Sequence, residues 1–216
     1  MTGKRGLVLI GSPKGLEGSN SARHAQALIK TFDTEGWSLE WLHLHRAVES
    51  EEAIDDLLAK VDRSDQILFV APLYVDSLPA PAIRALERIA AHRSGAGGTS
   101  KAPRFSVLLH CGFIEPKHNE TAVEICRLFS EAAALEWFGE LTLGGGGMPS
   151  RRVREALAEA GTALAKGFPI PPEARKRAKR PTMPRLAFIL GGNLMWRRVA
   201  KGFGITKAGL LAQPYE

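Results

Sequence analysis

Five times along this chain a short apolar run is followed by a longer stretch with apolar residues at helical spacing. That alternation constrains the fold more than any other feature. The short runs are Gly6–Ile10, Ser38–Leu44, Gln66–Ala71, Phe105–His110 and Glu136–Leu143. Gly6–Ile10 and Gln66–Ala71 are continuously apolar, as strands buried on both faces must be, whereas Ser38–Leu44 alternates. The helical stretches are Asn20–Glu35, Ser50–Lys60, Pro79–Ala91, Thr121–Ala134 and Arg151–Lys166. Consecutive βα units at this spacing predict one parallel sheet with helices on both faces. The binding crevice of such a sheet lies outside the carboxyl ends of its strands. Four segments fall there: Gly11–Ser19, Pro72–Pro79, Cys111–Asn119 and Gly144–Pro149. All four are rich in Gly, Pro, Ser and Asn.

Two segments stand outside the pattern. Arg93–Pro103 reads as a flexible surface loop. Phe168–Glu216 is an extension with a proline bend, a basic run and the apolar piece Leu186–Trp196. The expected organisation is a domain over residues 1–167 and an extension over 168–216 that packs on the domain or on a partner subunit.

The first of the strand-end loops carries the clearest chemistry. G-S-P-K-G-L-E-G-S-N-S, Gly11 to Ser21, lies between a strand and a helix. A helix start offers unpaired N–H groups and a favourable dipole to an anion. Ser12, Ser19, Asn20 and Ser21 add neutral donors, and Lys14 adds one cation. The spacing is neither the dinucleotide fingerprint G-x-G-x-x-G nor the G-K-[ST] ending of a triphosphate loop. One terminal monoester phosphate suits these donors. A plain Gly/Ser turn with an ordinary helix cap is the alternative.

The loop, read together with A-P-L-Y-V-D-S-L-P-A-P-A-I-R-A-L-E from Ala71 to Glu87, resembles the NAD(P)H-dependent FMN reductases and flavodoxin-like oxidoreductases. The likeness covers roughly residues 6–165. It implies a flavodoxin-like three-layer sandwich, a five-stranded parallel sheet in the order 2-1-3-4-5. It implies FMN as cofactor and NAD(P)H as co-substrate. Ser12, Lys14, Ser19, Asn20 and Ser21 would hold the phosphate, and Pro72, Leu73, Tyr74, Val75 and Asp76 the isoalloxazine ring. Cys111, Gly112 and Phe113 would meet the ring's pyrimidine edge. Members are commonly homodimers acting on a small electron acceptor. Lys14 departs from the Arg many members carry, and the smallest members lack the extension.

Charge and cysteines bound the remaining readings. The formal net charge is +6 over 216 residues, and much of it sits between Glu173 and Arg185. The run R-K-R-A-K-R from Arg175 to Arg180 has no aromatic residue for base stacking and no companion nucleic-acid motif, so it reads as a solvated basic helix. Leu186–Trp196, with Arg197, Arg198 and Lys201 beyond it, has the look of an interfacial segment. Packing against protein is the expectation for it. No run approaches the roughly 20 apolar residues of a membrane span. Two cysteines, Cys111 and Cys126, form neither a C-x-x-C pair nor a metal-ligand set, which suits a reducing cytoplasm. His110 and Cys111 are open candidates for a part in the chemistry. The expected activity is transfer of hydride or electrons from NAD(P)H through FMN to a quinone, a flavin or a similar acceptor. An electron carrier without NAD(P)H activity and a flavin-free scaffold are the alternatives.

Overall fold

The structure, a computed structural model, describes residues 3–95, 102–145 and 150–212. Its sheet has five parallel strands in the order β2-β1-β3-β4-β5: β1 Lys4–Ile10, β2 Trp37–His43, β3 Gln66–Pro72, β4 Arg104–His110 and β5 Glu136–Leu143. This is the flavodoxin-like order. Side chains alternate across the pleat into two cores. Leu7, Leu9, Ile67, Phe69, Phe105, Val107 and Leu109 pack on one side with α2 (Leu44–Ala47), α3 (Glu51–Arg63), α4 (Ala80–Ser94) and α5 (Glu120–Ala132). Val8, Ile10, Leu68, Val70 and Leu108 pack on the other with α1 (Asn20–Leu28), α6 (Arg151–Ala165) and α7 (Pro172–Ala178).

Helix starts follow local chemistry. Ser19, Ser50 and Ser150 each accept an N–H from three residues ahead, at 3.0, 3.2 and 3.2 Å. Such a cap is worth about 1 kcal/mol. The helix expected over Asn20–Glu35 is shorter. It gives way to two 3-10 turns at Ile29–Thr31 and Asp33–Glu35, closed by Gly36 at φ 75°. The chain must there turn back under the sheet, and Phe32 and Trp37 pack their rings together at 5.3 Å to hold the reversal. β2 ends one residue early because Leu44 opens α2 and is buried. Arg93, expected in a surface loop, belongs to the last turn of α4. It is buried there, bonding the Ala133 carbonyl at 2.8 Å and Asp62 at 2.9 Å. The glycine-rich part of that loop, 96–101, lies outside the described residues, as does 146–149 of the fifth strand-end loop.

The extension divides in two. α7 covers the β5 edge: Ile170 N–H bonds Phe138 O at 2.9 Å, and Ala174 and Ala178 are buried among α6 and β5 side chains. Beyond it, α8 (Arg185–Gly202) and α9 (Lys207–Leu211) bury only Ala200 among their residues.

Candidate cofactor site at the strand ends

Five loops leave the carboxyl ends of the strands, and hydrogen bonds tie them into one rim. His43 at the end of β2 bonds the Ser12 carbonyl at 2.7 Å, so its Nε2 carries the proton. Leu73 N–H, after β3, bonds His110 O at 2.9 Å. Ser21 Oγ and His110 Nε2 are hydrogen-bonded at 2.9 Å, joining the first loop to the fourth strand. Cys111 N–H bonds Leu143 O at 3.0 Å, and Gly145 N–H bonds Phe113 O at 2.6 Å, joining the fourth loop to the fifth. The last pair sits so close that a Cβ on Gly144 would come 2.3 Å from Ile114 O.

The first loop presents what an anion needs. Among the described residues no acceptor takes the amides of Gly15, Leu16, Glu17 or Ser19, and Cβ atoms on Gly15 and Gly18 would meet open space. Ser12 Oγ accepts from Lys14 N–H at 3.3 Å, holding the turn, and Lys14 is exposed. Ser19 is buried as the cap of α1, and Asn20 is half-buried beside Arg23. Ser21 differs from the expectation for it, because its hydroxyl is fully buried and engaged with His110. Neutral donors, free amides and one cation fit a monoester phosphate.

The third loop is a tight turn. Tyr74 and Ser77 exchange both backbone bonds, at 2.9 and 3.2 Å, around Val75 at φ 51° and Asp76 at φ 56°. Pro72 and Leu73 are half-buried, Tyr74 is half-exposed, and Val75 projects entirely into solvent. A β-branched residue in the left-handed region is strained by about 1–3 kcal/mol. Val75→Asn is therefore expected to stabilise the cofactor-free fold by about 1 kcal/mol, read as a higher denaturant midpoint. A midpoint at or below the wild-type value would show that the turn is unstrained. Asp76 faces His118 Nδ1 at 3.7 Å, and Phe113 packs its ring on His118 at 4.4 Å.

In the fourth loop, Gly112 is exposed with its amide untaken among the described residues. The Cys111 thiol is buried and turned into the loop, donating to Phe113 O at 3.4 Å. Burial holds its pKa above the ordinary value, so it stays protonated. Buried Asn119 donates to Pro116 O at 2.9 Å and Leu143 O at 3.3 Å, bracing the loop from below. Cys126 lies buried in α5, its thiol pushed up by burial.

Beneath the phosphate loop lies a pair that the sequence did not single out. His24 and His110 meet edge to face at 5.4 Å, both buried, and among the described residues His24 Nε2 has no hydrogen-bond partner. Burial lowers His110 to about 3 and His24 to about 4; the Arg23 charge adds to the shift of His24, and His24, once protonated, adds to that of His110. Both are neutral near pH 7, so His110 acts as a positioning group for Ser21. Of the two, His110 was already an open candidate from the sequence; His24, three residues after Ser21 on the inner face of α1, was not. His118 and Asn119 fall within the strand-end segment Cys111–Asn119, whereas His43 at the end of β2 carried no sequence signal as a member of the rim.

A concavity of about 760 Å³ opens at the opposite end of the sheet between Lys4, Trp37, Arg104 and Glu136. It lies at the amino ends of the strands, and among the described residues its lining includes no helix N-terminus, so the rim is the better cofactor site.

The fold and rim define a flavodoxin-like protein. Residues 5–103 match the family of NADPH-dependent FMN reductases. That match covers β1 through α4 and both motifs on which the resemblance rested. No curated protein matches in sequence. Among solved structures, the chain is similar to an FMN-dependent NADH-azoreductase from Bacillus anthracis in complex with FMN. Identity is 12%, coverage 75% of this chain and 99% of that one, and the TM-score 0.60. The Trp repressor binding protein from Bacillus subtilis shares 12% identity over 71% and 97%, with a TM-score of 0.56. An NAD(P)H:quinone oxidoreductase from Methanothermobacter marburgensis shares 16% over 82% and 96%, with a TM-score of 0.54. At these identities the likeness is one of fold.

Proposed function

We propose that this chain is an FMN-dependent NAD(P)H oxidoreductase that passes hydride or electrons to a small acceptor such as a quinone or a free flavin. The observation that carries the reading is the hydrogen-bonded rim of five loops, with an amide-rich anion cradle at one side and an exposed turn at the other. FMN held in that crevice would supply the redox chemistry. The residues do the rest. Ser12, Lys14, Ser19, Asn20 and the Ser21 amide anchor the phosphate, while Pro72, Leu73, Tyr74, Val75 and Asp76 pack on the ring. The Gly112 amide, between Cys111 and Phe113, would be the donor for the ring edge where negative charge grows on reduction. With His110 neutral and Cys111 protonated, neither is needed as an acid or a nucleophile. A homodimer in the cytoplasm, using NADPH, is the assembly we assign to it. The buried, unpaired cysteines suit that compartment.

An electron carrier without NAD(P)H activity is the second reading. One observation favours it: outside residues 174–215 there are 19 cations against 23 acids, so the body is acidic as carriers often are. NADPH added without air separates the two. Bleaching of the bound flavin is expected, and a flavin that stays yellow makes the protein a carrier. A protein that takes up no FMN is neither.

The phosphate assignment has its own test. Lys14→Ala with Asn20→Ala is expected to weaken FMN roughly tenfold to a hundredfold, at about 1–3 kcal/mol for lost charged contacts, while riboflavin affinity holds. Titration of flavin fluorescence reads both. An equal loss for the two flavins would place the phosphate elsewhere. Ser19 is a poor probe, because removing its cap on α1 destabilises the helix whether or not FMN is bound.

A further inference from the structure

We propose that α8 and the segment after it dock this protein on an anionic membrane surface. Between residues 174 and 215 the chain has ten cations and no acid. Arg175, Arg177 and Arg185 pair with Glu140, Glu159 and Glu115 of the body. Lys176, Lys179, Arg180, Arg197, Arg198, Lys201 and Lys207 have no acidic partner among the described residues. Within this cationic stretch, residues 186–196 carry no charge at all. Large apolar side chains there lie open to solvent, Leu190 at 61% and Trp196 at 64%.

The arrangement around α8 selects the occupant. At 100° per residue, Phe188, Ile189, Met195, Trp196, Val199 and Phe203 share one face. Arg197, Arg198 and Lys201 lie on the other, at the carboxyl half of the helix. Leu186, Leu190 and Leu194 continue the apolar surface onto that second face in the amino half. A protein surface would cover the aromatic face and strand the three leucines in water. A lipid interface takes both, with the amino half tilted deeper and the cations level with anionic headgroups. Trp196 then falls at the boundary where aromatic rings settle. The 18 residues span only about 27 Å, and among the described residues no helix is long and apolar enough to cross a bilayer. The mode is therefore attachment to one leaflet. α8 leaves the body beside the fourth loop, where Arg185 meets Glu115.

Sedimentation of the full chain with phosphatidylcholine vesicles, with and without 30 mol% phosphatidylglycerol, tests this. The expected result is pelleting with the anionic vesicles, little with the neutral ones, and partial release by high salt. Arg197→Gln, Arg198→Gln and Lys201→Gln should each lower the partition about fivefold. Leu190→Glu with Trp196→Glu should abolish pelleting while FMN uptake is unchanged, since neither residue touches the rim. Trp196 emission should shift to the blue on anionic vesicles, and Trp196→Phe should remove that shift. Three results overturn the proposal: no pelleting on anionic vesicles, equal pelleting on neutral ones, or a wild-type dimer that ignores vesicles and becomes a monomer in the double variant. The last would make α8 a contact between two copies. Because pelleting is read without flavin, its failure leaves the reductase reading untouched.

Discussion

Between pH 6.5 and about 4 the fold is expected to lose stability at up to about 3 kcal/mol per pH unit, from two buried histidines alone. Both His24 and His110 have folded pKa values below the unfolded 6.5, at about 4 and about 3. Above pH 6.5 neither state binds a proton at these sites, and their contribution is flat. As pH falls through 6.5 the unfolded chain takes up two protons that the folded chain refuses, so unfolding is favoured by about 1.36 kcal/mol per proton per unit. The loss levels off once the folded histidines also titrate. The window from pH 6.5 to 5 is informative because carboxylates titrate lower. Denaturant midpoints at pH 7.5, 6 and 5 read the slope. His24→Leu with His110→Gln should flatten it, because leucine suits an apolar site and glutamine can still bond Ser21. An unchanged slope in that variant would assign the acid sensitivity to other groups. The same pair sits under the phosphate loop but stays neutral in the folded protein through this window, so Ser21 keeps its partner and FMN affinity should hold while stability falls.

Gly161→Ala is expected to cost about 2–4 kcal/mol, against the ordinary sign for this change in a helix. In an exposed helix interior, alanine is better than glycine by roughly 1 kcal/mol. At Gly161, in the middle of α6, the new Cβ would lie 1.8 Å from Leu28 O and 2.9 Å from its carbonyl carbon. These are backbone atoms at the end of α1, so no rotamer relieves the contact. The two helices must separate by more than an ångström, opening the core around Leu28, Ala160 and Leu164. Equilibrium unfolding in urea measures the loss. A midpoint equal to or above wild type would mean that α1 and α6 approach less closely than they do here. FMN binding should weaken too, since α1 carries the phosphate loop at its other end.

Much of the architecture was legible because it rests on local pattern. Apolar runs such as Leu7–Ile10 and Ile67–Ala71 have little choice but to be central strands, and Ser19, Ser50 and Ser150 announce their helices by chemistry that acts over three residues. Where a boundary moved, a long-range contact moved it. The helix from Asn20 stopped at Leu28 because Phe32 and Trp37 must meet, and Arg93 joined α4 because Asp62 and Ala133 O come to it from other elements. The interior pair His24 and His110 is separated by 86 positions, and no periodicity links them. Exposure of α8 was equally out of reach, because apolar residues at helical spacing look the same whether or not something covers them.

The loop Gly11–Ser21 was determined by the sequence as an anion cradle, since a helix start supplies donors wherever it stands. Tertiary structure decided what those donors are free to do. Folding took the Ser21 hydroxyl inward to His110, left the amides of Gly15 to Glu17 open, and tied the Ser12 carbonyl to His43 at the end of β2. Such choices depend on which groups from distant strands arrive within 3 Å, a distance that only the packed sheet sets.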